Sequence, residues 1–299
     1  MDLLQSLTHL PFLKRCAVPA DLREVRSIGD EDGVRGTGVS RADIDAIWEA
    51  AEALYRTGIY PALQLCIRRR GRIVLNRALG HASGNAPGDD PDAEKTLATA
   101  ETPFLLYSAS KAITAMVIHK LDEQGPLNLE DRISDWIPEF GRHGKEAITV
   151  RHLLAHRAGI PNIPPEAMDL ELLDKPEEVN ELLCSAEPAT AAGRVVAYHA
   201  VSSGFVAAEL VQRVTGRSIR EVLDEDISGP LGFRWMRYGV APEDVPLVAV
   251  DAVTGPPAPP PVGAMLKRAL GTSLEHVCLL YTSDAADEDC LVGVGGGGG

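Results

Sequence analysis

The chain has 299 residues, 45% of them hydrophobic and 24% charged, and 43 acidic against 29 basic residues give a formal net charge of −14. That apolar fraction excludes a mainly disordered chain, and the acidic balance excludes a nonspecific nucleic-acid binder, whose affinity needs a basic field. No run reaches the roughly eighteen apolar residues of a membrane span, and the cysteines Cys16, Cys66, Cys184, Cys278 and Cys290 form no CxxC pair, so neither a disulfide framework nor a zinc knuckle is expected.

The opening MDLLQSLTHLPFLKRCAVPA places its basic pair after its apolar residues, the wrong order for a secretory signal, so cytoplasmic residence is the expectation. Residues 1–40, with Gly33, Gly36 and Gly38 close together, read as an irregular leader. A helix is predicted from Asp43, with Ile44, Ile47, Trp48, Ala51 and Leu54 on one stripe and Gly58 as its closing signal. ALQLCIRRRGRIVLNRALG then reads as two strands joined by a tight turn at Arg70-Gly71. A helix followed by a hairpin implies a mixed α/β layer, not a bundle. The polar stretch 81–100, centred on GNAPGDDPD, reads as a loop.

The next helix is predicted from about Ser108 to Glu123, ending at Gly125-Pro126. From about 127 to 239, short helical patterns alternate with Pro and Gly, including one after Thr149 and one from Ser202 to Val214, and imply a mostly helical region. Beyond it, GPPAPPPVG is a turn or polyproline stretch and no strand pattern follows Pro261. The five terminal glycines have no side chains to bury and much backbone entropy to lose.

Within the second helix, Ser108 and Lys111 are three residues apart and share a face. A serine hydroxyl is a poor nucleophile until a base takes its proton, and a lysine amine can contribute where burial or a cationic neighbourhood lowers its pKa. A serine at the first turn also has the positive end of the helix behind any developing negative charge. Ser-x-x-Lys pairs arise by chance, so the surrounding blocks matter.

Those blocks are FLLYSASKAITAMVIHKLDEQGPLNLEDRISDWIPEF, ITVRHLLAHRAGIP at 148–161, AYHAVSSGFVAAELVQRVTGRS at 197–218 and GPLGF at 229–233. Together they make the chain, over about Asp43 to Tyr238, resemble the serine beta-lactamase, penicillin-binding protein and serine-esterase superfamily, nearest to class C-like enzymes and their esterase relatives. The resemblance implies a three-layer α/β fold, an antiparallel sheet flanked by helices plus a helical region. It also implies Ser108 as nucleophile, Lys111 as its partner and Tyr198 as the tyrosine of the second motif. A phenolate beside a lysine ammonium has its ionised form favoured, so Tyr198 could relay a proton between Ser108 and the leaving group. Tyr107, His199 and Ala200 are candidates for the rim of the substrate pocket.

Two departures stand out. Where the class C pattern has tyrosine, any residue, asparagine, this chain has Tyr198-His199-Ala200. Ala200 offers neither an amide donor nor an acceptor, which favours esters over beta-lactams. The third motif, a Lys/His-x-Gly-like strand that supplies one oxyanion donor, has no convincing equivalent after Tyr238, and LGTSLEH at 270–276 is only the nearest approach. CLLYTSDAADED resembles translated adapter sequence. The expectation is therefore a beta-lactamase-related domain over 41–275, lacking its C-terminal strands, followed by a non-native tail at 276–299, with little hydrolase activity in the chain as it stands.

The function expected is a serine hydrolase that cleaves carboxylic esters through an acyl-enzyme on Ser108. The alternatives are a beta-lactamase or D-alanyl-D-alanine peptidase-like enzyme, or a noncatalytic member of the superfamily. No cofactor and no metal are expected, and the partner is a small-molecule ester or lactam. His152 and His156 share the four-residue spacing of metal ligands but lack a third ligand, and read as helix-capping or surface residues. Ser202 and Ser203 read as capping or packing residues, and RRRGR at 68–72 as a solvated hairpin turn.

Overall fold

The computed structural model describes residues 14–162, 175–255 and 291–293. The chain divides into two units: Met1–Leu105 with Val240–Pro259 and Val292–Gly299, and Leu106–Gly239 with Pro260–Leu291. The stretch GPPAPPPVG beyond Gly255, the LGTSLEH segment and, apart from 291–293, the expected tail at 276–299 lie outside the described residues.

In the first unit helix α1 spans Arg41–Tyr55. It starts two residues before the predicted Asp43 because Asp43 belongs to a capping box. Ser40 Oγ accepts from the Asp43 N–H at 3.1 Å, and the Asp43 carboxylate accepts from the Ser40 N–H at 2.7 Å. The helix turns Ile44, Trp48 and Tyr55 inward, where they meet Leu22, Val25, Val74, Leu75 and Leu79.

The sheet is antiparallel, in the order β1-β3-β2, with β1 at Arg26–Ile28, β2 at Ala62–Arg69 and β3 at Arg72–Ser83. The hairpin forms where the sequence predicts it. Arg70 and Gly71 both take positive φ, 51° and 77°, as a two-residue turn that matches strand twist requires. Strand β1 arises from three residues of the stretch read as an irregular leader, because Arg26 pairs with Leu79 and Ile28 with Arg77 across a separation no local pattern reveals. Strand β4, Thr96–Leu97, likewise pairs with the far end of β3 from within the predicted loop.

Central strand β3 is buried from Val74 to Gly80, so it lacks clean in–out alternation. Gly80, at φ 93°, is required there, since a Cβ would sit 2.2 Å from the Pro61 carbonyl oxygen. Arg77 lies within this run. Its guanidinium pairs with Glu31 at 2.7 Å and stands 5.3 Å from the centre of the Trp48 ring. Strand β5, Phe104–Leu105, pairs antiparallel with Gly293 and Val292.

The second unit is helical. Its helices are α2 (Ser110–Gln124), α3 (Ile133–Trp136), α4 (Val150–Leu154), α5 (Pro176–Ser185), α6 (Ser202–Thr215) and α7 (Ile219–Leu223). Helix α6 is the hub, packing against the other five. It contributes Phe205, Val206, Leu210 and Val211 to a core shared with Val117, Ile118 and Leu121 of α2 and Val179 and Leu183 of α5. Burying one such side chain stabilises by roughly 1.5–3 kcal/mol. Lys145 is wholly buried, and its ammonium donates to the carbonyls of Cys184 and Ala186. It thus sits at the negative end of α5, where a cation is favoured. Among the described residues no helix is long and apolar enough to cross a membrane. The α/β class expected from the helix, hairpin and helical patterns is the one observed, with an antiparallel sheet.

Candidate active site

Two segments of the second unit build the site. The first is the entry to α2. The sequence predicts a helix starting near Ser108, but Tyr107–Ala109 forms a 3₁₀ turn and the α-helix begins at Ser110. Tyr107 has φ 47°, a left-handed conformation that carries strain in a bulky residue. This turn presents Ser108 outward, just ahead of the N-terminus of α2, while Lys111 one turn on reaches back. The Lys111 Nζ donates to Ser108 Oγ at 3.5 Å.

The second segment is 197–200, which runs into α6 without regular structure. It brings Tyr198 to the same serine: the Tyr198 hydroxyl donates to Ser108 Oγ at 2.5 Å. Lys111 Nζ also lies 5.2 Å from the centre of the Tyr198 ring. The three side chains singled out in the sequence therefore meet at one oxygen. Tyr198 is 43% exposed and Tyr107 36%, so the cluster is open to an incoming molecule.

What holds Tyr198 is a pair of histidines. The Ala197 N–H donates to the His156 carbonyl at 3.0 Å, and the His199 N–H donates to His156 Nδ1 at 3.2 Å. The His156 ring meets the Tyr198 ring edge-on at 5.0 Å and stacks on His199 at 5.7 Å. His199 has no exposed surface. Its Nδ1 faces the Ala197 carbonyl at 2.6 Å, and its Nε2 accepts from the Ile160 N–H at 3.1 Å. One ring nitrogen must donate and the other accept, so His199 is a neutral imidazole protonated on Nδ1. Burial holds the pKa values of both rings below the ordinary histidine range; for His156 the Lys111 charge adds to the effect, and for His199 the bond to Ala197 opposes it.

These positions correct one expectation and extend another. His199 does not rim a pocket, because its ring is enclosed and committed to backbone groups on both sides. His156 does stand in a cap, closing α4 at its C-terminus with its N–H donating to the Leu153 carbonyl at 3.1 Å, but that is not all it does. Its neighbour His152 also caps, since His152 Nδ1 accepts from the Thr149 N–H at 3.2 Å, but His156 turns the other way, at φ 56°, toward Tyr198. Ser202 and Ser203 pack as expected, with Ser202 Oγ donating to the Ile160 carbonyl at 2.7 Å and Ser203 Oγ to the His199 carbonyl at 3.0 Å. Ala200 is half-buried and brings no polar side chain to the segment. No cluster of three or more His, Cys, Asp or Glu suited to a metal ion occurs among the described residues.

Chemically, the arrangement sets a hydroxyl nucleophile against a phenol and an ammonium, with the positive end of a helix behind it. That is the equipment for moving a proton off a serine while it attacks a carbonyl. A family model described as Beta-lactamase matches residues 48–299. "Esterase/beta-lactamase LipL" of Mycobacterium tuberculosis (strain ATCC 25618 / H37Rv) is 33% identical over 155 residues, 52% of this chain and 35% of that protein. Among solved structures, a penicillin-binding protein homolog from Caulobacter crescentus is 28% identical with a TM-score of 0.62, covering 71% of this chain and 55% of that one. A family VIII carboxylesterase, at 23% identity and a TM-score of 0.68, covers 86% of this chain and 67% of that one, and shows the shared fold. The match thus spans about a third of the curated relative's length.

Proposed function

The chain belongs to the beta-lactamase family, and on that premise we propose that it is a serine hydrolase acting on carboxylic esters through an acyl-enzyme on Ser108. The observation that carries this reading is the 2.5 Å hydrogen bond between Tyr198 and Ser108, with Lys111 beside both. In the first half-reaction the Ser108 proton passes to the Tyr198–Lys111 pair while Oγ forms a bond to the ester carbonyl carbon. The tetrahedral intermediate then expels the alcohol, whose oxygen receives that proton as the C–O bond breaks. Water attacks the acyl-enzyme along the same path, and the carboxylic acid leaves.

Esters are preferred to beta-lactams in this reading because Ala200 provides no amide to grip a lactam side chain. The name of the mycobacterial relative joins both activities, so the distinction is worth measuring. The test is intact-mass analysis after exposure to a fluorophosphonate, followed by peptide mapping. One adduct on Ser108 is expected, with only slow turnover of a short-chain aryl ester by the chain as it stands. Absence of any adduct on folded protein would overturn the reading.

A further inference from the structure

Resting on the hydrolase reading above, we propose that His156 is the positioning residue for Tyr198, gripping the backbone on both sides of that tyrosine, and that it can do so only as a neutral imidazole. The grip has two points. The His156 carbonyl takes the N–H of Ala197, and its Nδ1 takes the N–H of His199, so the residues before and after Tyr198 are tied to one residue. Its ring then meets the Tyr198 ring edge-on, at 5.0 Å and 65°, which fixes the direction of the phenol oxygen. A carbonyl and a side chain of one residue can reach the same segment this way because His156 adopts φ 56°, turning the chain back just after α4.

The second part follows from donor and acceptor arithmetic. A nitrogen that accepts from an amide N–H carries no proton, so the His156 proton sits on Nε2. Protonating Nδ1 would set one N–H against another and break the bond to His199. The titratable and charged groups that face the ring are Lys111 from α2 and Tyr198 and His199 from the 197–199 segment. None of these is a carboxylate that would favour an imidazolium. Behind them His199, locked between Ala197 and Ile160, backs the same strand of chain and leaves no slack to absorb the change. Acidification should therefore release Tyr198 from Ser108 before the unit unfolds, and Ser108 should lose reactivity on an acidic limb that belongs to His156.

The experiment uses the full 299-residue chain. The second-order rate of fluorophosphonate labelling at Ser108 is followed from about pH 5 to 9, the range in which histidine changes charge, for the parent, His156→Asn and His156→Ala. Asparagine tolerates the left-handed backbone and offers an acceptor in place of Nδ1, but does not titrate. His156→Asn is expected to label within about threefold of the parent at the alkaline end and to lose the acidic limb. His156→Ala is expected to label about tenfold or more slowly, since small misplacements of a reacting group cost heavily. Should His156→Ala lose its near-ultraviolet circular dichroism, the asparagine variant decides alone.

Parent-like rates and limb in the alanine variant would overturn the proposal. So would an asparagine variant that keeps the parent's acidic limb. A readout free of activity separates this from the parent reading: the ¹³C ring resonance of Tyr198, assigned with Tyr198→Phe. It is expected to move with the acidic limb in the parent and to stay put in His156→Asn. Movement without any Ser108 labelling would defeat the hydrolase reading and leave the positioning role standing. Labelling with a resonance indifferent to pH would do the reverse.

Discussion

His199 and Ile160 are joined inside the second unit by a hydrogen bond, the Ile160 N–H donating to Nε2 at 3.1 Å with both residues buried. A backbone donor in that position has no access to water, so the ring replaces what solvent would supply. His199→Leu fills similar space but strands the donor, and is expected to cost about 1–3 kcal/mol in urea unfolding. His199→Gln, which can restore an acceptor, should recover part of that loss.

The same bond sets a direction for pH. Burial is the chief cause of the depressed His199 pKa, with His156 adding to it and the Ala197 carbonyl opposing it. The folded protein then binds fewer protons than the unfolded chain below the ordinary histidine value of 6.5. Stability is therefore complete above that pH and declines as pH falls through it toward the lower folded value. Urea midpoints measured across this window should fall on acidification in the parent and fall less in His199→Gln. A midpoint rising on acidification would contradict the assignment of a neutral ring.

In the first unit, Glu31 and Arg77 meet at 2.7 Å with the Arg77 side chain only 6% exposed. Burial raises the Glu31 carboxyl, but hydrogen bonds from Arg77 and the Asn76 N–H outweigh it and the net pKa is lowered. Removing one partner leaves the other charge buried, so Glu31→Leu should destabilise by about 3–5 kcal/mol, whereas the double change Glu31→Leu with Arg77→Met should be closer to the parent. Because the folded pKa is depressed, the stability it contributes is present above the ordinary carboxylate range and is lost as pH falls through the folded value. A double-mutant cycle in guanidinium chloride measures both statements, and equal loss from the single and double variants would refute the pairing argument.

Legibility in the sequence followed the range of the interaction. Helix α1, the Arg70-Gly71 turn and the Ser108–Lys111 face all rest on residues within four positions of one another, and periodicity or turn chemistry exposes them. Tyr198 lies ninety positions from Ser108, and only the order of familiar blocks pointed to it. The spacing of His156 from His152 shows its place in the α4 cap but not its hold on the Tyr198 segment, because those partners begin forty-one residues on. Strand β1 and the Glu31–Arg77 pair were hidden for the same reason. Three residues show no alternation, and a charged residue in a strand reads as surface until its partner is seen.

Tyr55 gives a prediction of the opposite sign. Its side chain is fully buried against the sheet, and its hydroxyl has no hydrogen-bond partner among the described residues. Burial pushes its pKa up to about 12, the Cys16 side chain adding to the effect. Tyr55→Phe removes the unpaired oxygen and keeps the ring, so stability should hold or rise by about 1 kcal/mol. A loss of that size in thermal unfolding would mean that the hydroxyl is satisfied after all.

Ser108 and Ser110 differ by one short turn, yet they should behave differently. Ser108 Oγ receives both Tyr198 and Lys111, whereas Ser110 opens α2 and its carbonyl accepts from the Thr114 hydroxyl at 3.3 Å. Ser108→Ala should abolish fluorophosphonate labelling with little change in unfolding midpoint, and Ser110→Ala should label within about threefold of the parent, as expected of a surface change away from the reacting oxygen. Tyr198→Phe belongs between them. It keeps the ring against His156 but removes the hydroxyl that bonds to Ser108, and loss of a positioned acid–base group slows such steps by about 10²–10⁴-fold. The ester preference is then read on the same protein by comparing kcat/KM for a short-chain aryl ester and a cephalosporin. With Ala200 offering no amide to the lactam side chain, the ester should be favoured, and Ala200→Asn should narrow the gap by improving the cephalosporin alone. Equal gains for both substrates would show that residue 200 acts on the Tyr198 segment and not on the choice of substrate.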